Sequence, residues 1–334
     1  MALTKSPRIL IIRRDNIGDL VCTTPLIRAL RERFPDAWIG AMVNSYNAPV
    51  LDGNPDLDGV YVYTKAKHRS AGESLIGIFW RRWKMMRRLR AMKIDDVIVA
   101  TTTPQPRVVK MARWLKPGRI IGYGKAGADV ELPIANAPLH EVEDVFRAAS
   151  VFGIQGVPPA AVVQRTAARD PSRVAIHISA RKPSQRWPAE RFVALLRELH
   201  AQDATLRFVL LWSPGNCDDP MHPGDDAKAA QISDALGSGF PLAATPTHEL
   251  PELIAALSTC SAMICADGGA MHLGAGLGLP TVAMFGDSSV ARWRPWAVAQ
   301  QVLQAPSKNV DDIPVKEVVA AFNALPARIP APSA

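Results

Sequence analysis

Arg8-Ile9-Leu10-Ile11-Ile12-Arg13-Arg14-Asp15-Asn16-Ile17-Gly18-Asp19 passes from one kind of structure to another within a single short stretch. Ile9–Ile12 is an unbroken apolar run rich in β-branched residues, the pattern of a strand covered on both faces. Beyond Asp19 the apolar residues Leu20, Ile27, Leu30 and Phe34 recur at helical spacing. Strand, glycine-bearing turn and helix in that order open a parallel α/β sheet. Gly18 reads as the residue that lets the turn take a backbone a side chain would obstruct. Asp19 stands at the start of the helix, where a carboxylate can cap the chain or face a ligand. The helix dipole favours the charged form there, so a proton-accepting role needs something that restores proton affinity, such as desolvation.

The same alternation continues outward. Trp38–Val43, Gly59–Tyr63, Asp96–Ala100 and Arg119–Gly122 read as strands, and Glu141–Phe152 as a helix. Gly153–Ser172 is rich in Pro, Gly and Ala and lacks periodicity, which places a linker there. Alternation restarts with strands at Arg173–Ile178, Leu206–Trp212, Ala262–Ala266 and Thr281–Phe285. Helices are expected at Pro188–His200, Asp226–Ala235, Leu250–Leu257, Gly269–Gly276 and Asp311–Leu325. Two successive Rossmann-like α/β domains are expected: 1–155, a linker 156–172, a second domain 173–310, and a terminal helix and tail 311–334. Ligands of such sheets bind at the carboxyl ends of the strands, so a cleft between the domains would collect the loops that follow them.

The charge is lopsided. Residues 1–150 hold 24 Lys and Arg against 15 Asp and Glu, a net +9, whereas the rest nets −1. The first half should therefore meet an anionic partner. Ile9–Ile12 is too short for a signal-peptide core, and Leu273–Phe285 is broken by three glycines and a proline. A soluble cytoplasmic protein is expected. Cys22, Cys217, Cys260 and Cys265 lack ligand-pair spacing and read as reduced thiols.

Three further loops and helices carry candidate chemistry. Asp267-Gly268-Gly269-Ala270-Met271-His272-Leu273 follows a strand and opens a helix, so its bare N–H groups could cradle a diphosphate. His272 is open to two readings, packed histidine or phosphate contact. Neither this loop nor the one through Gly18 carries GxGxxG or GxxxxGK[ST]. Ser179–Pro188 places Arg181, Lys182 and Arg186 just after a strand, as a solvated loop or as cations for a leaving diphosphate. Ser74–Lys93 contains Trp80, Arg81, Arg82, Trp83, Lys84, Arg87, Arg88 and Arg90 and no acidic residue. Ile76, Phe79, Trp80, Trp83, Met86 and Leu89 follow one helical face, which suits either packing on the sheet or docking on an anionic membrane. Cys217, Asp218, Asp219, His222, Asp225 and Asp226 crowd together, but interspersed prolines and the lack of an i,i+4 pair make this a loop and not a metal site. No nucleic-acid module is evident.

At Ile9–Asp19, continuing through Thr24-Pro25-Leu26 to Leu30, the sequence resembles the opening motif of glycosyltransferase family 9, the ADP-heptose:lipopolysaccharide heptosyltransferases of GT-B fold. Asp267–Leu273, Gly278–Gly286 and Arg292-Trp293-Arg294-Pro295-Trp296 resemble its C-terminal signature. The resemblance implies two facing Rossmann-like domains, the first binding acceptor and the second nucleotide sugar. It implies an inverting transfer with Asp19 as base and with Arg14, Asn16 and Gly18 on the acceptor side. Lys182, Arg186, Asp267 and the Gly268–His272 turn would hold the donor, ADP-heptose, with Asp226 as ribose contact. No metal or other cofactor is implied. The acceptor would be an anionic glycolipid such as lipopolysaccharide core, and the enzyme a monomer resting on the inner membrane through Trp80, Arg81, Trp83, Arg87 and Arg88. One position departs: where the family often has Lys before the Trp-Pro pair, this chain has Gln185. That departure supports an alternative, a noncatalytic nucleotide-sugar-binding protein of the same fold.

Overall fold

The computed structural model describes residues 6–63, 74–219 and 223–326, with Leu75 by its backbone alone. Met1–Lys5, His222 and the tail from Ala327 lie outside the described residues. The chain forms two compact units, Met1–Ala161 and Val162–Ala334.

The first unit runs β1 (Arg8–Ile12), α1 (Ile17–Val21), α2 (Thr24–Arg33), β2 (Trp38–Asn44), β3 (Gly59–Tyr63) and α3 (Leu75–Ala91). It continues with β4 (Asp96–Val99), α4 (Pro106–Trp114), β5 (Arg119–Tyr123), β6 (Val130–Leu132) and α5 (Glu141–Phe146). Its six strands are parallel, in the order β3-β2-β1-β4-β5-β6. The second unit runs β7 (Arg173–His177), α6 (Ala189–Gln202), β8 (Arg207–Trp212), α7 (Asp226–Leu236), β9 (Leu242–Pro246) and α8 (Leu250–Ser258). After these come β10 (Ala262–Ala266), α9 (Gly269–Gly276), β11 (Thr281–Phe285), α10 (Val290–Trp293), β12 (Gln300–Gln304) and α11 (Val315–Asn323). It repeats the plan in the order β12-β11-β10-β7-β8-β9, again parallel. Each sheet is thus the doubly wound type. Its order reverses between the first and fourth strands, which opens a crevice at their carboxyl ends.

Central strands are the apolar runs of the sequence. Ile9–Ile12 are fully buried, and Leu10 and Ile12 share a core with Met42, Leu89, Val97, Val99 and Ile120. In the second unit Val174, Ile176, Phe208, Leu210, Ile264 and Val282 pack against Phe192, Leu195 and Leu196 of α6. Each such side chain contributes roughly 1.5–3 kcal/mol by leaving water. Helix α11 packs on α6, β11 and β12. Within the stretch read as linker, Val163 N–H donates to Gly276 O (2.8 Å) and Arg169 Nη2 to Leu277 O (2.8 Å).

Five elements lie beyond the pattern read from the sequence: β6, β9, β12, α4 and α10. The three strands include both outer edges, where a strand has one neighbour and needs no apolar run. Gln300-Gln301-Val302-Leu303-Gln304 of β12 shows this plainly. The helix expected over Glu141–Phe152 is α-helical only to Phe146 and then tightens to a 3₁₀ turn over Arg147–Phe152. On α3 the sheet-facing side carries Ile78 and Leu89, while Ile76, Phe79, Trp80 and Trp83 point outward. The single apolar stripe expected there is therefore two, with Ile78 and Leu89 inside and Ile76 and the three aromatic residues outside.

Candidate active site

In the first unit the loop after β1 gathers charge around one buried guanidinium. Arg13 is 2% exposed. Its Nη2 donates to Asp19 Oδ1 at 2.7 Å and to Glu141 Oε1 at 2.8 Å, and its Nε lies 3.1 Å from Asp15 Oδ2. Its Nη1 donates to Ala100 O at the end of β4. Burial works against the Arg13 charge, but Glu141, Asp19 and Asp15 together outweigh it and hold the guanidinium above its ordinary range. Thr101, also after β4, donates its hydroxyl to Asp15 Oδ2 at 2.9 Å. The reversal point of the first sheet is thus tied by Arg13 and Asp15 on one side and by Ala100 and Thr101 on the other.

Asp19 is the third residue of α1. Its Oδ2 accepts from Asn16 N–H (3.0 Å) and from Asn16 Nδ2 (2.9 Å), closing the first turn. Both oxygens are thus engaged within the protein: one caps α1 and the other meets Arg13. Gly18 sits inside α1 and is absent from the left-handed glycines, so the helix requires no special φ at that position. It is buried there. Arg14 stacks on the Tyr63 ring at 4.4 Å, and its carbonyl accepts from Asn44 Nδ2 at 2.5 Å.

In the second unit the reversal point lies between β7 and β10, and a carboxylate stands there too. Asp267 follows β10 and is nearly buried. Gln185, from the loop after β7, donates to Asp267 Oδ2 at 2.9 Å and to Ser288 Oγ at 3.1 Å. Burial raises the Asp267 carboxyl above its usual range, and the Ser288 hydroxyl and the Lys182 charge offset part of that. Lys182 pairs with Asp287 at 3.0 Å, and Ser184 Oγ donates to the same carboxylate at 3.1 Å. Gly286 makes this seam fit, because a Cβ there would lie 2.4 Å from Ser184 O. Gln304 of β12 donates to Gly286 O (2.7 Å) and Ser288 O (3.0 Å), fixing the loop after β11 from behind.

Gly268 has extended backbone (φ 164°), and a Cβ built on it would meet nothing within 4 Å. Its lack of a side chain leaves open space before the start of α9, where backbone N–H groups lack helical partners. The rest of the turn is packed. Met271 is fully buried, so its side chain belongs to the core and only its backbone could serve a donor. His272 is 4% exposed, with its ring edge-on to Trp293 at 5.9 Å. Arg186 donates Nε to Ala180 O at 3.0 Å. Asp226 is the first residue of α7, held against the loop after β8. It accepts from Trp212 Nε1 (2.7 Å) and Gly215 N–H (2.9 Å), and these bonds hold it below the usual carboxylate range. Among the described residues no His, Cys, Asp and Glu side chains group as metal ligands.

Sequence reasoning missed Arg13, Asp15, Thr101, Glu141, Asp287 and Ser288. Gln185 was visible only as a departure. Glu141 lies 128 positions from Arg13, and no local pattern signals such a pairing. Asp287 and Ser288 were within reach, since they directly follow the strand that ends in Phe285-Gly286.

The sequence profile of glycosyltransferase family 9 (heptosyltransferase) matches residues 82–316, most of the chain. The chain belongs to glycosyltransferase family 9. Lipopolysaccharide heptosyltransferase 3 of Escherichia coli is 24% identical to it, over 92% of this chain and 96% of that protein. A family 9 glycosyltransferase of Veillonella parvula superposes with a TM-score of 0.76 at 18% identity, covering 95% of this chain and 96% of that one. The E. coli heptosyltransferase WaaC with ADP gives 0.76 at 18% identity, covering 95% and 99%. These likenesses show the GT-B fold, and family 9 membership makes this chain a glycosyltransferase.

Proposed function

We propose that the protein transfers heptose from ADP-heptose, with inversion, to a hydroxyl of a lipopolysaccharide core or related anionic glycolipid. The observation that carries this reading is that each sheet places a carboxylate, Asp19 or Asp267, at the carboxyl end of its reversal point. The donor diphosphate lies in the open space before Gly268 and α9, near Lys182 and Arg186, with Asp226 at the ribose. Asp19 takes the proton of the acceptor hydroxyl, whose oxygen bonds to the anomeric carbon. The carbon–oxygen bond to the diphosphate breaks, and its electron pair leaves with ADP.

The net +9 of residues 1–150 supports an anionic acceptor on the first unit. The outward aromatic face of α3 supports peripheral contact with the cytoplasmic face of the inner membrane. No described helix is long and apolar enough to cross a membrane. Thermal-shift measurement against ADP-, GDP- and UDP-sugars tests the donor. ADP-heptose should raise Tm by several degrees at saturating concentration. A larger rise with a GDP- or UDP-sugar would assign a different donor.

A further inference from the structure

A cation beside a carboxylate weakens it as a base, and neighbouring negative charge strengthens it. Arg13 would by itself make Asp19 a poor proton acceptor. The structure supplies the compensation. The Arg13 nitrogen that donates to Asp19 Oδ1 also donates to Glu141 Oε1, and Asp15 stands against Nε of the same guanidinium. Three carboxylates thus surround one cation in a site where Arg13 and Glu141 are almost wholly buried. When all are ionised the cluster carries a net −2.

We infer that Glu141 is a positioning residue for the transfer, which shares Arg13 with Asp19 and so restores the strength of Asp19 as the base. The inference rests on the reading of Asp19 as base. Glu141 is the first residue of α5, where His140 precedes it and accepts from Val142 N–H at 3.1 Å, so its backbone is pinned independently of its carboxylate. The groups facing Asp19 come from the loop after β1 (Arg13, Asp15, Asn16) and from α5 (Glu141). The turn Ala48–Leu51 packed on α1 brings no titratable side chain. The buried Tyr123 phenol donates to Val145 O and is pushed up by burial and by Asp144.

The test is the pH profile of ADP release from ADP-heptose, with phosphorylated lipopolysaccharide core as acceptor. Glu141→Gln keeps an acceptor for Arg13 at the same place and removes only the charge. It should move the acid limb of kcat/KM to lower pH by roughly half to one unit. It should also cut kcat at pH 7 about 3- to 10-fold, with donor KM unchanged. Glu141→Asp, which keeps the charge, should leave the limb near the wild-type position, an outcome a purely structural role would not give. An unmoved limb in Glu141→Gln, with Tm by circular dichroism at the wild-type value, would overturn the inference. If Glu141→Gln lowers Tm, the Glu141→Asp profile decides: a limb displaced there as well overturns it. An Asp19→Asn variant that still turns over would instead overturn the base assignment, so the two failures are distinguishable.

Discussion

Lys228 shows how a residue outside the proposed chemistry is shaped by the same crevice. It lies in the first turn of α7, donates to Ile178 O at 3.1 Å, and sits 5.1 Å from the Phe192 ring centroid. Burial draws its ammonium down to about 8; Asp225 opposes that, and Arg186 adds to it. Between pH 8 and the ordinary lysine range the unfolded chain holds a proton that the folded chain has released. Stability from this group therefore rises with pH through that window and is at its lowest below it. Lys228→Met removes the titration. Chemical denaturation at pH 7.0 and 9.5 should show the wild type gaining on the variant, by on the order of 1 kcal/mol. A constant difference between the two would show that the ammonium titrates normally. Residues of this kind were not legible in the sequence: Lys228 looks like any exposed helix cation until Phe192 is packed beside it.

At the scale of elements, α3 is the piece whose two faces serve different purposes. Ile78 and Leu89 hold it to the sheet, whereas Ile76, Phe79, Trp80 and Trp83 are 73%, 62%, 62% and 46% exposed. Trp80 and Trp83 meet edge to face at 5.2 Å, and Arg87 stacks over Trp83 at 4.8 Å. An aromatic patch rimmed by arginines fits the headgroup region of an anionic bilayer. Co-sedimentation with vesicles of anionic phospholipid should weaken at least about tenfold when Arg81, Arg82, Arg87 and Arg88 are all changed to Ser, four cations at about 1 kcal/mol each setting an upper bound of roughly 10³-fold. Unchanged sedimentation would remove α3 as the docking face. Elements were the most legible level. Strands such as Ile9–Ile12 and Ala262–Ala266, buried on both faces, announce themselves as apolar runs. Leu242–Pro246 and Val130–Leu132 do not, because a half-exposed strand near or at a sheet edge is set by its neighbour more than by its own composition.

For the whole molecule, two copies of one sheet plan carry opposite tasks in the proposal. The first unit supplies the positive charge and the base, and the second supplies the open glycine turn at Gly268 and the polar seam of Gln185, Asp267 and Ser288. The loops at both reversal points were legible as strand–turn–helix passages. What joined each loop to its surroundings was not, since Arg13 with Glu141 and Gln185 with Asp267 are paired across long separations by the strand order itself. Gln185 illustrates the difference. It looked like a lost cation in the sequence, and in the fold it is the amide that holds a buried carboxylate. ADP release by Asp19→Asn, read beside its ADP-heptose affinity by calorimetry, bears most directly on the division between the units. Turnover should fall about 10²- to 10⁴-fold while donor Kd stays within a factor of about three. Turnover within tenfold of wild type, or a donor affinity that collapses with it, would mean that Asp19 does not act as the base apart from donor binding.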